Sequence, residues 1–220
     1  NLHVNYATLT PSFIGFLDPS SVPELSTLIL VGEAMSPEHL QTWSQINLVN
    51  GYGPTESSVS AIINSHVTLE TDCKDVGFPV GVHCWLVDPS NHDRLVPMGC
   101  VGELLLEGPT LARCYLNNPE KTDEAFIFDP AWSRHDDGST QRRRFYKTGD
   151  LLRYGSEQGS LTYIGRKDSQ VKLHGQRVEL GEIEYHLSSD QNIKHSLVLL
   201  PKLGPCKQRL VGVVSLSDSL

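Results

Sequence analysis

Long hydrophobic runs are missing from this sequence: none of its 220 residues belong to a stretch approaching the ~20 apolar positions a membrane-crossing helix needs. Its first ten residues, NLHVNYATLT, lack the basic start and apolar block of a secretory leader. The expectation is a soluble, cytoplasmic protein with no membrane partner. Cysteine never occurs in a functional spacing. Cys73, Cys84, Cys100, Cys114 and Cys206 are odd in number, widely spread and free of any Cys-x-x-Cys pair, so they signal neither a disulfide framework nor a zinc site. They are expected as scattered core thiols. The nine histidines include no His-Glu-x-x-His, which removes the commonest metalloprotease arrangement. Positive charge is also short: 18 basic residues stand against 26 acidic ones, and the net charge of -8 would repel nucleic acid or an anionic membrane. The run Arg142-Arg143-Arg144 is expected as a solvated loop, not a binding patch. Internal repeats and low-complexity tracts are absent as well.

What the sequence does have is length enough for a domain or a domain and a half, and a change of texture along it. Leu25 to Asn50, LSTLILVGEAMSPEHLQTWSQINLVN, predicts a strand, a glycine turn, a helix and a second strand. Ser36 suits the N-cap and Pro37 the first helical position, with Leu40, Trp43 and Ile46 as the apolar stripe. The continuous TLILV suggests a strand buried on both faces. From Val67 to about Ile164 short strands alternate with turn residues (GVHCWLVD, VGELLLEG, RRFYKTGDLLRY, GSLTYIG), with one helix after Asn118-Pro119. Pro130 to Arg144 reads as an exposed loop. Beyond Arg166 a strand pair (QVKLHGQRVE), a helix (LGEIEYHLSS) and two strands (HSLVLLP, RLVGVVSL) predict a second small α/β portion that looks cut short. The expected fold class is α/β with a β-rich subdomain.

The chemistry concentrates in four stretches. NGYGPTE, Asn50 to Glu56, follows an apolar run; Gly53-Pro54 fits a tight turn. Such a turn is either an ordinary strand exit or a phosphate and metal corner, with bare backbone admitting an anion, Thr55 donating a hydroxyl and Glu56 offering a hard oxygen to Mg²⁺. GELLLEGPTLARCYLNNPEKT (Gly102 to Thr122), FYKTGDLLRY (Phe145 to Tyr154) and GRKDSQVKLHGQRVELGEIE (Gly165 to Glu184) follow in order. Together the four resemble the adenylation domains of nonribosomal peptide synthetases, in the adenylate-forming superfamily that includes acyl-CoA synthetases and firefly luciferase. The resemblance spans almost the whole chain.

It implies that residues 1–66 are the end of the α/β part of a large lobe, 67–165 a distorted, barrel-like β subdomain, and 166–220 a hinge and a truncated small lobe. It implies ATP or AMP and Mg²⁺ as cofactors. An amino acid is the implied substrate, and a carrier domain bearing phosphopantetheine, with other synthetase domains, the implied partners. Thr55, Glu56 and Arg166 become the expected catalytic residues, with Glu56 as metal ligand; Asn50, Tyr52, Gly53, Thr55, Asp150, Tyr163 and Arg166 are the expected nucleotide contacts. A carboxylate at Asp150 has two acceptor oxygens for the two hydroxyls of a ribose. By itself Thr-Gly-Asp reads first as a strand-connecting turn, and the resemblance reverses that preference. Asp168 is the expected hinge and Gly175 the expected loop glycine of the thioester step, preceded here by His174 where a stronger base is usual. Glu179, Glu182 and Glu184 are read as a solvated helix face. Cys114 stands where the family often has glycine, a replacement expected to be strained if the backbone there has positive φ.

The substrate pocket implied by the same resemblance is lined by Thr8, Ile29, Val31, Gly51, Val59 and Ser60. None is charged, which favours an uncharged side chain with apolar surface. A phosphate loop ending in lysine and a late NGKVDR-like segment are not found, so the chain is expected to be an excerpt of a longer synthetase and nearly inactive alone. An acyl-CoA or aryl-acid ligase of the same superfamily, and a non-catalytic nucleotide-binding or docking piece, are the alternatives.

Overall fold

The computed structural model describes residues 3–133, 142–155, 159–173, 175–201 and 203–217. They form two compact units, Asn1–Lys167 and Asp168–Leu220. The first unit carries β1 (Tyr6–Leu9), α1 (Pro11–Ile14), β2 (Thr27–Val31), α2 (Pro37–Trp43), β3 (Asn47–Tyr52), β4 (Ile62–Asn64), β5 (Asp75–Pro79), β6 (His83–Asp88), β7 (Asn91–Leu95), β8 (Gly102–Glu107), α3 (Pro119–Ala125), β9 (Phe126–Phe128), β10 (Arg144–Tyr154) and β11 (Leu161–Arg166). These strands make an eleven-stranded sheet in the order β1-β2-β3-β4-β5-β11-β10-β8-β6-β7, with β9 on β10. β1, β2 and β3 are parallel. The remaining pairings are antiparallel, and β5 bonds both β4 and β11, so pairing runs on across residue 66.

The β2-α2-β3 unit forms as its caps require. Pro37 opens α2, and the Ser36 N–H donates to His39 Nδ1 at 3.0 Å, histidine standing where a capping box usually has Glu. Leu40 and Trp43 bury against Leu28, Leu30 and Leu48, each worth about 1.5–3 kcal/mol of burial. Ile46 joins that cluster from beyond the end of the helix. β2 is not buried on both faces. Leu28 and Leu30 are fully covered, whereas Ile29 and Val31 are half-buried, because α1 and α2 cover only one side of the sheet.

β8 is buried nearly end to end: Leu104 and Leu106 face a cluster with Leu86, Tyr146, Leu152 and Leu161, while Leu105 packs oppositely with Val87 and Phe145. The second cluster reorders the expected loop. Trp132 packs at a tilt against Trp85, ring centroids 4.9 Å apart, and edge-on against Phe145 at 5.2 Å, so the start of the 130–144 stretch is packed; residues 134–141 lie outside the described residues. Nor is Arg142-Arg143-Arg144 a solvated loop. Arg143 forks onto Glu107 at 2.7 and 2.6 Å, Arg144 donates to the Ala112 and Arg113 carbonyls, and Arg142 bonds Asp129 over the Phe128 ring. Guanidinium planes lie on aromatic faces while their N–H groups pair, so charged residues adhere to an apolar sheet.

The thiols also differ from expectation. Cys73 and Cys84 are half-buried, and Cys100, Cys114 and Cys206 are exposed. Burial pushes the Cys84 thiol up to about 12, which keeps it protonated and unreactive. Cys114 has no positive φ, so the cysteine is accommodated without backbone strain.

The second unit carries β12 (Gln170–Leu173), β13 (Gln176–Glu179), α4 (Leu180–Ser188), β14 (Ile193–Leu199) and β15 (Val211–Leu216). β12 and β13 form a hairpin, and β14 and β15 an antiparallel pair. Gly175 takes φ +77 between β12 and β13; His174 lies outside the described residues. The acidic run is not simply solvated, since Glu179 accepts from the Gln170 amide and Glu184 Oε1 from the Val198 N–H at 2.8 Å. Among the described residues no helix is long and apolar enough to cross a membrane.

Candidate active site

Asp150 owes its position to an interruption of β10. Lys147 faces Leu105 and Leu151 faces Glu103, leaving Thr148, Gly149 and Asp150 opposite Leu104 alone. Such a bulge turns side chains out of the ladder and strands backbone groups that need new partners. The Thr148 hydroxyl supplies one, donating to the Leu104 carbonyl at 2.9 Å while accepting from the Asp150 N–H at 3.0 Å. Gly149 takes φ +71, a left-handed conformation that glycine enters without a steric penalty.

The buried Asp150 carboxylate then draws in side chains from β3 and β11. Tyr52, at the end of β3, donates to Oδ2 at 2.5 Å; Tyr163 on β11 reaches Oδ1 at 3.4 Å; Arg166 Nη1 lies 3.2 Å from Oδ1 and 3.0 Å from the Thr148 carbonyl. Arg166 is the residue directly opposite Asp150 in the β10–β11 register. The two tyrosine rings stand 6.1 Å apart. Burial, and after it the Asp150 charge, pushes the Tyr52 phenol well above its ordinary value, so Tyr52 remains the proton donor. Sequence neighbours 98 and 16 positions distant thus meet on one carboxylate.

Glu56 sits in a 3-10 turn, Thr55–Ser57, four residues beyond Tyr52. It is buried, and Tyr115 donates to its Oε1 at 2.6 Å. The segment after β8 straps the turn: the Ala112 N–H donates to the Glu56 carbonyl at 2.8 Å and Ser58 Oγ to the Thr110 carbonyl at 3.0 Å. Burial first, then the bond to Glu56, raises the Tyr115 phenol far above its usual range. Nothing in the sequence pattern singles out Tyr115, which lies within the Gly102 to Thr122 stretch.

The reason for Gly53 differs from the sequence reading. Its φ is not positive, and a Cβ there would meet the Val59 carbonyl oxygen at 2.4 Å and the Ala61 nitrogen at 2.7 Å. The missing side chain admits the returning backbone of its own loop. Asn50 likewise turns inward, its amide donating to the Asp75 carbonyl at 2.9 Å, and it takes no part in the bonds around Asp150. Thr55 is exposed at the rim of the turn.

Four of the six pocket residues share a sheet face. Thr8 pairs with Ile29, Val31 with Gly51, and Ile29 and Val31 are two positions apart, so all four point the same way. A Cβ on Gly51 would lie 3.4 Å from Ile29 Cγ2 and 3.5 Å from Val31 Cβ. Val59 is 58% exposed with φ +76, and Ser60 is half-buried in the same loop. Asp168 opens the second unit and accepts from the Gln170 N–H at 3.1 Å. No cluster of three or more His, Cys, Asp or Glu able to hold a metal occurs among the described residues. A single buried carboxylate such as Glu56 fits Mg²⁺, which takes most of its ligands from phosphates and water.

A sequence model of the family described as AMP-binding enzyme matches residues 2–116. This chain belongs to that family. Nonribosomal peptide synthetase 1 of Aspergillus fumigatus is 66% identical over 216 residues, covering 98% of this chain and 3% of that relative. A solved NRPS protein containing adenylation and PCP domains superposes with TM-score 0.80 at 28% identity, over 98% of this chain and 37% of its own. The Vibrio cholerae adenylation domain AlmE, in complex with glycyl-adenosine-5'-phosphate, gives TM-score 0.76 at 27% identity over 96% of this chain and 41% of its own. The mixed α/β, sheet-rich fold is therefore that of adenylation-domain structures. The chain spans about 3% of the length of the fungal relative, and Asp150, Tyr163 and Arg166 lie beyond the stretch matched to the AMP-binding family.

Proposed function

We propose that the chain is part of an adenylation domain that activates an amino acid with ATP and passes it to a phosphopantetheine thiol in nonribosomal peptide synthesis. In this reading residues 1–66 and 67–165 belong to the large lobe, and 166–220 to the hinge and small lobe, pivoting at Asp168. The observation that carries it is the meeting of Tyr52, Tyr163 and Arg166 on the Asp150 carboxylate.

The residues divide the work. Asp150 accepts both ribose hydroxyls, exchanging for them its bonds to Tyr52 and Arg166; the released guanidinium is then free to meet the α-phosphate with a planar fork. Tyr163 lies beside the nucleoside. Thr55 offers its exposed hydroxyl to a phosphate oxygen, and Glu56, fixed by Tyr115, is the carboxylate for Mg²⁺. When bound, the metal neutralises charge on the phosphates. A substrate carboxylate oxygen attacks the α-phosphorus, the bond to the β-phosphate oxygen breaks and pyrophosphate leaves; later the thiol sulfur displaces AMP from the acyl carbon. The chain's residues contribute positioning and electrostatics, with no covalent nucleophile among them. Thr8, Ile29, Val31 and Gly51, with Val59 and Ser60 on the adjoining loop, suit an uncharged side chain with apolar surface.

Titration with AMP tests the reading. Asp150→Ala is expected to weaken AMP binding by about tenfold or more, since two hydrogen bonds to a charged acceptor are lost. Unchanged affinity in that variant would remove Asp150 from the site.

A further inference from the structure

One buried carboxylate has no task in the scheme above. Glu103, on β8, is 2% exposed and lies next to the β10 bulge, where it faces Leu151. Its two oxygens serve different segments, β10 and the residue just past β11. Oε1 accepts from the Gly149 N–H at 3.3 Å, and Oε2 pairs with the Lys167 ammonium at 2.6 Å. Lys167 is itself held twice more, its N–H on the Gly149 carbonyl at 3.0 Å and its Nζ on the Pro89 carbonyl at 3.2 Å. Gly149 thus bonds Glu103 through its N–H and Lys167 through its C=O, and the ion pair closes the ring. Gly149 immediately precedes Asp150, and Lys167 immediately follows Arg166 and ends the first unit. A carboxylate is rarely buried without a structural or functional return, because its desolvation has to be offset by paired, hydrogen-bonded charge.

We infer that Glu103 is a positioning residue for nucleotide binding: with Lys167 it locks the Thr148–Asp150 bulge to the end of β11, fixing the backbone that carries Asp150 against the backbone that carries Arg166. The inference rests on the proposed reading of Asp150 and Arg166. A locked pair meets ribose and phosphate at one geometry, whereas an unlocked bulge has to be ordered on binding, and that ordering subtracts from affinity. Lys167 pairing also places the last fixed backbone of the first unit immediately before Asp168.

The test uses the full-length protein and AMP titration alongside pyrophosphate-exchange kinetics. Glu103→Gln and Lys167→Met are each expected to weaken AMP binding and raise the KM for ATP by about tenfold, with kcat changed less than about threefold, a split that general loosening of the fold does not produce. The double variant is expected to be no worse than either single one, because both remove one coupled interaction. Lys167→Arg keeps the charge and is expected to recover most of the affinity. Losses that multiply in the double variant, or parental AMP affinity in both single variants, would overturn the inference. Asp150→Ala separates it from the functional reading. If that variant binds AMP normally, the nucleotide reading falls; if it binds weakly while Glu103→Gln and Lys167→Met bind normally, only the role given to Glu103 falls.

Discussion

Asp150 and Glu56 are both buried carboxylates with a tyrosine hydroxyl within 2.6 Å, yet different kinds of backbone carry them. Asp150 rides on an eleven-residue strand bonded on both sides, and its bulge is repaired by Thr148, Glu103 and Lys167. Glu56 rides on a three-residue 3-10 turn followed by two consecutive non-glycine residues with positive φ, Ser58 at +61 and Val59 at +76. A sheet distributes the cost of an irregularity over many ladder bonds. A turn has only its few pins. The Glu56 side should therefore respond to single changes in its own loop, and the Asp150 side to changes in residues distant in sequence.

The largest effect is expected where the turn has no slack. Gly53→Ala would drive a Cβ to 2.4 Å from the Val59 carbonyl oxygen, a backbone atom that cannot rotate away. The cost is about 3 kcal/mol, the upper range for overpacking, read as a lowered denaturation midpoint. Gly51→Ala is the control on the neighbouring strand, where the nearest contact is an ordinary 3.4 Å. Equal losses in the two would break the contrast between turn and sheet.

Next in size is Tyr115→Phe. It removes a 2.6 Å bond to the Glu56 carboxylate while keeping the ring that packs on Phe126 at 5.8 Å. Hydrogen bonds to charged groups contribute about 1.5–3 kcal/mol, so stability should fall by that order in urea titration. The binding consequence is selective: Mg²⁺-dependent ATP binding should weaken, with AMP affinity in the absence of metal nearly unchanged. A uniform loss of both would mean that Tyr115 supports the fold and not the carboxylate.

Local chemistry made part of this legible. Ser36-Pro37 and Asn118-Pro119 announced α2 and α3, and the Thr-Gly-Asp run holds the three residue types that a repaired bulge uses. The Glu103–Lys167 pair was invisible because its partners are 64 positions apart and each looks like an ordinary surface charge. Arg142-Arg143-Arg144 reads as solvated for a related reason: the carbonyls, carboxylates and aromatic faces that absorb its charge come from segments distant in sequence. The apolar TLILV gave no hint that only one of its faces is covered by helices, since the pattern of Ile29 and Val31 matches that of Leu28 and Leu30. Gly53 was recognised as special, but contact with a returning chain leaves no local signature distinct from a turn.

The smallest expected effect has the opposite sign. Val59 is β-branched, holds φ +76 and is 58% exposed, so its side chain returns little burial for an unfavourable backbone. Left-handed backbone costs an ordinary residue about 1–2 kcal/mol relative to glycine, and part of that is given back through the more flexible unfolded chain. Val59→Gly should therefore stabilise the protein by about 1 kcal/mol, raising the melting temperature by roughly 2–4 °C, whereas Val59→Ala keeps the strain and should not. If Val59 lines the amino-acid pocket, the same Val59→Gly variant should raise the KM for the amino acid while leaving that for ATP alone. Stabilisation with unchanged amino-acid KM would place Val59 outside the pocket and leave the strain as a property of the turn, held by the Ser58–Thr110 and Ala61–Tyr52 bonds on either side of it.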